Sequence, residues 1–445
     1  MFGLRPAFPG GVRLPAVERH DSDALIRQMA FASLLRLPLR QHAGAASVAV
    51  VQPGDEVMRG QLLARAEADT AVPLHAPATG RVVRISAQPD GDGAAVGVIE
   101  LAPAAGDTQE EITGRPLDPA RCSPDELLRA IGDAGLVGLG GEAGSTHERL
   151  VRARARGARV VVINGIEGEP GQARVPALLL RHGPDVIQGL RMVLRVLQTE
   201  RSLLAVESHD GEAAGKLVQT VGADCGLTLR VLPPRYPQGA AGLLLRSLAS
   251  NGADLNRAEA VVFSLATIAE IGRLLSRGWV MTDQLLTLSG DGLDKPGNYR
   301  VPLGTPIAFA LAEAGARGDV ERVLLGGPMR GKAVAGLERP IVKATTGLVA
   351  VAAGSAGRVP EPMACIRCGD CVTACPVQLH PAELGLLARR GENEAMFTDW
   401  YLDRCIECGC CSYVCPSHIP LVQMFRAARL QQRRLQRLAG EEVPA

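Results

Sequence analysis

Two copies of one cysteine pattern stand close together near the end of this 445-residue chain. Residues 365–376 read Cys365-Ile-Arg-Cys368-Gly-Asp-Cys371-Val-Thr-Ala-Cys375-Pro376, and residues 405–416 read Cys405-Ile-Glu-Cys408-Gly-Cys-Cys411-Ser-Tyr-Val-Cys415-Pro416. Three thiolates spaced three residues apart wrap one face of an iron–sulfur cubane, and the fourth is thrown beyond reach, onto the other cluster. The spacing therefore predicts one [4Fe–4S] cluster on Cys365, Cys368, Cys371 and Cys415, and a second on Cys405, Cys408, Cys411 and Cys375. The plainer reading is a pair of zinc sites. Zinc pairs, however, usually come as two C-x2-C units across a longer loop, without a third and fourth cysteine or the proline. Cys410 is an extra thiol within the second motif and is expected to be a spare, partly buried cysteine rather than a ligand. Nine of the eleven cysteines fall between 365 and 415. A disulfide framework would spread them through the chain, so a reducing compartment is expected. Isolated Cys122 and Cys225 read as small core residues.

Charge narrows the partners. With 48 Lys+Arg against 47 Asp+Glu the chain has no field that would hold a polyanion, and no nucleic acid is expected. Nothing approaches 18 uninterrupted apolar residues, and residues 1–6 lack an export pattern, so a soluble protein made in the cytoplasm is expected. The 51 glycines and 30 prolines, against 3% aromatics, favour many turns and short elements.

Along the chain, residues 47–85 alternate apolar and polar residues and are punctuated by Pro53-Gly54-Asp55, Gly60, Pro73 and Ala76-Pro77-Ala78-Thr79-Gly80. Short strands and tight turns follow. The turn spacing resembles the flattened barrel of biotinyl and lipoyl carriers, but no lysine lies between 47 and 85, so a structural or docking role is expected. From about residue 124 the pattern becomes helix and strand in alternation. Helices are expected over 124–134 and 177–197, and strands over 158–164, 202–207, 227–232 and 260–265, hence an α/β core with a parallel sheet. The glycine-rich run Gly135 to Gly144 includes Gly138, Gly140 and Gly141 and precedes a helix, an arrangement whose N–H groups can hold a phosphate; turns without a ligand look the same. Asn164, Glu167 and Glu169 follow the strand that ends at Ile163, where ligands of open α/β sheets gather, and the two carboxylates could bind a ribose or nicotinamide or simply be solvated. Residues 284–314 read as a small β-rich insert. The tail 421–438 is a basic amphipathic helix carrying Arg426, Arg429, Arg433, Arg434 and Arg437, suited either to an anionic surface or to solvent.

In combination these segments resemble the C subunit of the Rnf (Rsx) electron-transport complex. The resemblance rests on Phe8-Pro9-Gly10-Gly11-Val12, Arg40-Gln41-His42-Ala43-Gly44, the carrier-like barrel, residues 135–150 and 164–170, and Tyr236-Pro237-Gln238-Gly239. It extends to the insert, Gly326-Gly327-Pro328-Met329, both cysteine motifs, and Ser417-His418-Ile419-Pro420-Leu421-Val422-Gln423. It implies a multidomain α/β chain. Expected are an N-terminal segment with a barrel-sandwich (biotinyl/lipoyl-like) domain over 1–110 and an α/β domain like the flavin-bearing part of complex I over 111–275. A β-grasp-like soluble-ligand-binding domain over 276–345 and an α-helical dicluster ferredoxin-like domain over 355–445 complete the chain. It also implies FMN in the α/β domain near Gly138, Gly140, Gly141, Asn164, Glu167, Glu169 and Thr267, with NAD(H) stacked on it. Single electrons would leave through the two clusters, because a flavin accepts a hydride and releases its electrons one at a time. The implied partners are the other Rnf subunits, integral-membrane ones included, and indirectly ferredoxin; the implied place is the cytoplasmic side of the inner membrane.

The chain departs from the family pattern at the flavin site. Where the family usually reads G-G-A-G-F-P-T, residues 140–146 are Gly-Gly-Glu142-Ala-Gly-Ser-Thr, which places a carboxylate by the expected phosphate, where like charges repel. Where an Asn is usual, the chain has Ser264-Leu265-Ala266-Thr267, and Gly168 replaces a cysteine. Two other readings stay open at this level: a flavin-free iron–sulfur relay or assembly scaffold, and a soluble relative similar to cobalamin reductases.

Overall fold

The computed structural model of the chain describes residues 8–15, 25–89, 95–106, 109, 111–221, 225–354 and 361–438. Expectations about residues 1–6, the boundary at 355–360 and the Arg437 side chain lie outside the described residues.

Alternation sets the first layer. Leu35 and Leu37 point inward from the strand Leu35–Pro38 while Arg36 and Pro38 are only partly covered. That strand joins Ala95–Pro103, Gly80–Pro89 and Glu56–Val57 in one antiparallel sheet, and Val48–Ala49, Leu62–Arg65 and Leu74–His75 form a second. Their inner faces meet over Leu35, Leu37, Val57, Leu63, Val82, Ile99 and Leu101. Gly80 has no alternative, because a Cβ there would stand 2.2 Å from the Ala102 carbonyl oxygen.

The middle of the chain builds a four-stranded, wholly parallel sheet ordered Leu227–Leu232, Arg201–Glu207, Val160–Gly165, Ala260–Ser264. Both faces are covered, which explains the near-continuous apolar run of Val160–Gly165. Val161 and Ile163 pack into one core, Val160 and Val162 into another with Leu244 and Leu248 of the helix Ala241–Ser250. The single helix expected over 177–197 is two, Arg174–Arg181 and Gly183–Leu197, interrupted at His182 just before Pro184. Proline lacks the N–H that a continuing helix needs but suits the first turn of a new one. Gly183–Leu197 crosses Leu265–Leu275 at backbone contact: a Cβ on Gly189 would lie 1.8 Å from Ile268 O, and one on Gly272 1.9 Å from Asp185 O.

The β-rich region is larger than the residues between 276 and 345. Asp283–Ser289 and Gly297–Pro302 form the expected antiparallel pair. Ile26–Gln28 then adds in parallel at one edge, and Gly347–Ala352 lies between Asp283–Ser289 and Val320–Leu325. Distant segments thus complete the sheet, which no local pattern announces. Four buried charges join its first strand pair to the preceding helix. Arg273 reaches Glu270 and Asp283, both at 2.8 Å, and Arg300 reaches Glu270 at 2.6 Å and Asp283 at 3.0 Å. Lys343, fully buried, donates to Pro73 O and Gly135 O at 2.7 Å each, tying the barrel to the α/β layer.

The C-terminal region is helical. Pro381–Arg390 packs with Leu421–Leu438 over Leu384, Leu387, Met396, Leu402, Ile419, Phe425 and Ala428. The segment before the barrel reaches it: Gly11 N–H donates to Ala374 O, and Val12 exchanges backbone hydrogen bonds with Tyr236. Gly10, at φ 66°, fits only as glycine, because a Cβ would stand 2.5 Å from Cys375 O.

Candidate functional site

The two cysteine loops fold alike. Arg367 and Gly369 in the first, Glu407 and Gly409 in the second, all take left-handed backbone angles, and Gln378 and His418 repeat that match after the prolines. Each such residue bends the chain, and together they turn three cysteine side chains toward one hollow, two from the loop and the third from the single helical turn that follows, Asp370–Thr373 or Cys410–Tyr413. Cys365, Cys368, Cys371 and Cys415 line one cavity of about 520 Å³; Cys405, Cys408, Cys411 and Cys375 line a second of about 340 Å³. The fourth thiol of each hollow comes from the other motif.

The thiols surround space rather than a point: among the described residues, no group of three or more His, Cys, Asp or Glu is placed to hold a single metal ion. Four thiols around each cavity suit an inorganic core larger than one ion. Burial pushes the Cys405 thiol up to about 11 and raises Cys371, Cys375 and Cys411 as well. Thiols so placed become thiolates when a cationic core binds them. Backbone N–H groups are already aimed at sulfur, Leu379 at Cys375 Sγ (3.2 Å) and Glu407 at Cys405 Sγ (3.4 Å). Cys410 is fully buried on the wall of the second hollow, while Cys122 and Cys225 are core residues elsewhere.

A third cavity, of about 690 Å³, opens beside the second hollow at the end of the parallel sheet. Its walls include Gly140, Asn164, Glu167, Arg174, Tyr236, Ser264 and Arg330, and also Ile406 and Cys408. Cys408 therefore faces two cavities. The Tyr236 hydroxyl donates to Cys408 O at 2.7 Å, locking this wall. A neighbouring lobe of about 410 Å³ shares Gly140, Asn164 and Ser264 and adds Gly138, Glu142, Thr146, Arg149 and Thr267. Pockets of these sizes suit a cofactor-sized ligand.

Two buried polar groups there lack a protein partner. The Thr146 hydroxyl has none, and neither has Arg174 Nε, although the Arg174 guanidinium also donates to Leu139 O (3.0 Å) and Gln172 Oε1 (3.1 Å). Burial lowers the pKa of Arg174 from its usual value, Glu167 opposing that. An oxyanion and a polar ring would satisfy both donors, so the residues fit a phosphorylated flavin. The lobe sits at the N-terminus of the helix Thr146–Ala155, capped by Ser145 Oγ accepting from Glu148 N–H.

Of the expected flavin residues, Gly140, Asn164 and Glu167 reach the main cavity, and Gly138, Thr267 and again Asn164 the lobe. Asn164 is fixed by donating to Gly239 O (2.8 Å) and accepting from Ile166 N–H (3.1 Å), and Thr267 Oγ1 accepts from Leu139 N–H (2.9 Å). Glu169 lines neither cavity. Its carboxylate is buried and accepts from Met329 and Arg330 N–H at 2.8 and 3.0 Å, away from the cavity walls; burial raises its pKa against those bonds. It braces the loop whose Met329 O lies over Gly409. Gly141, at φ 99°, shapes the turn without lining either cavity. Tyr236, Arg174, Thr146 and Arg149 were not singled out from sequence as site residues; only the pairing of distant segments gathers them.

Four family models match in order: the RnfC barrel sandwich hybrid domain over residues 6–103, the Nuo51 FMN-binding domain over 131–272, the SLBB domain over 285–333 and the 4Fe-4S dicluster domain over 364–419. Among curated proteins, the C subunit of the ion-translocating oxidoreductase complex of Pseudomonas aeruginosa is 35% identical over 98% of this chain and 57% of its own length. That of Erwinia tasmaniensis is 33% identical over 94% and 52%. The chain thus spans little more than half of these relatives, but it covers 82% of the corresponding protein of Rhodobacter capsulatus, at 33% identity over 94% of this chain. Among solved structures, an NAD+-reducing [NiFe]-hydrogenase in the H2-reduced state shares the fold, with a TM-score of 0.51 at 17% identity over 74% of this chain and 68% of its own. The chain belongs to the RnfC family, the C subunits of ion-translocating oxidoreductase (Rnf) complexes.

Proposed function

We propose that this chain is the electron-transfer subunit of an Rnf-type complex, receiving or delivering electron pairs at the cavity beside the parallel sheet and single electrons at the two cysteine hollows. The observation that carries this reading is the double exposure of Cys408, whose side forms part of the wall of both the large cavity and the second hollow. When bound, a flavin and two cubanes supply the conversion between hydride and single-electron chemistry. Asn164, Gly140 and Ser264 line both parts of the cavity and would orient the ring and its chain. Arg149, Thr146 and the N-terminus of Thr146–Ala155 would hold the phosphate, and Arg174 would donate to the ring. The eight cysteines of the two motifs would ligate the clusters crosswise, and Tyr236 would hold the Cys408 wall in place.

NAD(H) is the expected pair donor or acceptor and ferredoxin the indirect one-electron partner, with the other members of the complex, integral-membrane ones included, as its neighbours on the cytoplasmic face. No helix among the described residues is long and apolar enough to cross a membrane, which suits attachment through partners. Anaerobic reconstitution with iron, sulfide and FMN tests the reading: tight flavin and NADH-dependent bleaching of the cluster absorbance are expected. Clusters that ignore NADH would reduce the chain to a relay, and a colourless zinc protein would end the proposal.

A further inference from the structure

Resting on the flavin reading above, the charged lining of the 410 Å³ lobe deepens it. The lobe has the features of an oxyanion site: a glycine turn, the N-terminus of the ten-residue helix Thr146–Ala155, and the Thr146 hydroxyl, whose residue is 2% exposed and whose oxygen has no partner. Its charged wall residues are Glu142 and Arg149, and they are paired with each other, Arg149 donating to Glu142 Oε2. The guanidinium is held in the wall from two further sides, donating to Val262 O at 2.8 Å and standing 5.9 Å from the Phe263 ring centroid. Glu142 is held as well. Gly141 and Ala143 on either side of it are both left-handed, φ 99° and 50°, and Ala143 O accepts from Ala43 N–H at 2.9 Å. The backbone that carries Glu142 is thus fixed, and its half-exposed carboxylate is held at the lobe by the pairing with Arg149.

We propose that Glu142 is a built-in competitor for the phosphate of the flavin and so the specificity-determining residue of this lobe. A phosphate entering it must take Arg149 from Glu142 and stand beside a displaced carboxylate, whereas a flavin without phosphate leaves the pair intact. The site therefore accepts both flavins with similar affinity, and the phosphate contributes little to binding. Two opposed charges at contact distance in a partly exposed site change affinity by about tenfold or somewhat more.

The test uses the full chain with its clusters reconstituted and measures FMN and riboflavin binding by equilibrium dialysis. For the unaltered chain the two dissociation constants are expected within about tenfold of each other. Glu142→Gln, which keeps the shape and removes the charge, is expected to tighten FMN by about tenfold and to leave riboflavin within about twofold. In Glu142→Gln with Arg149→Gln the FMN gain disappears. Parallel shifts of both flavins, or no shift of FMN, overturn the inference while leaving the flavin site standing. Failure of both flavins to bind either protein, with clusters intact, overturns the flavin reading and the inference with it.

Discussion

Cys408 and Cys410 stand two residues apart on the same short turn, and both line the second hollow. Only Cys408 repeats the position of Cys368 in the first motif. Cys408→Ser should therefore halve the iron of the reconstituted protein to about four atoms per chain, whereas Cys410→Ala should keep about eight, as read by iron and acid-labile sulfide analysis. Loss of iron in the Cys410 variant would mean that the ligand set had been misassigned. The grouping of the thiols was legible in the sequence because it is mostly local: three residues of spacing bring three thiols to one hollow, and the fourth cysteine of each motif lies beyond reach and lines the other. Glu169 was not, since its partners, the N–H groups of Met329 and Arg330, lie about 160 residues away. The same distance problem hid the Tyr236 hydroxyl that reaches Cys408; the Arg149–Glu142 pair spans only a loop and the first turn of a helix, but which side chain Arg149 meets depends on the left-handed bends at Gly141 and Ala143.

Among elements, the helix pair Gly183–Leu197 and Leu265–Leu275 meets backbone to backbone, through Gly189 and Gly272. Periodicity located the helices, yet nothing local distinguishes a glycine that admits another backbone from one in a loose turn. Gly272→Ala forces the pair apart against Asp185 O and should destabilise the α/β layer by about 3 kcal/mol, measured by urea unfolding followed by circular dichroism. An unchanged midpoint would show that the helices can slide. The C-terminal helix Leu421–Leu438 illustrates the limit of reading charge from composition. Arg426 and Arg429 look like a solvated cationic face, but both reach Glu407, at 2.8 and 2.9 Å, and Arg429 also donates to Cys405 O at 2.7 Å. Part of that face is thereby committed to holding the second cysteine loop, and burial, which would raise the Glu407 pKa, is outweighed by the two guanidinium groups.

On the scale of the molecule, the buried quartet of Glu270, Arg273, Asp283 and Arg300 joins the α/β layer to the β-rich layer. Burial alone would raise the Glu270 pKa, but Arg273 and Arg300 outweigh it and hold the carboxyl at about 2, below its ordinary 4.5. A depressed carboxyl stabilises the fold above its unfolded pKa and loses that contribution as protons bind the native state. Stability should accordingly be level above about pH 6 and fall from about pH 5 toward 2 in thermal unfolding, with a shallower fall in Glu270→Gln, which starts from a lower plateau. An identical acid slope in the variant would remove Glu270 from the account.

The glycines at 10 and 11 lead to a different consequence. This strap is clamped between two regions far from it in sequence, Tyr236 at the mouth of the large cavity and Ala374–Cys375 of the first cysteine loop, so it couples the position of one to the other. Whatever displaces the first cysteine loop must therefore also strain the hinge at Tyr236, so the cavity and the cysteine hollows are mechanically linked through a segment that lines neither.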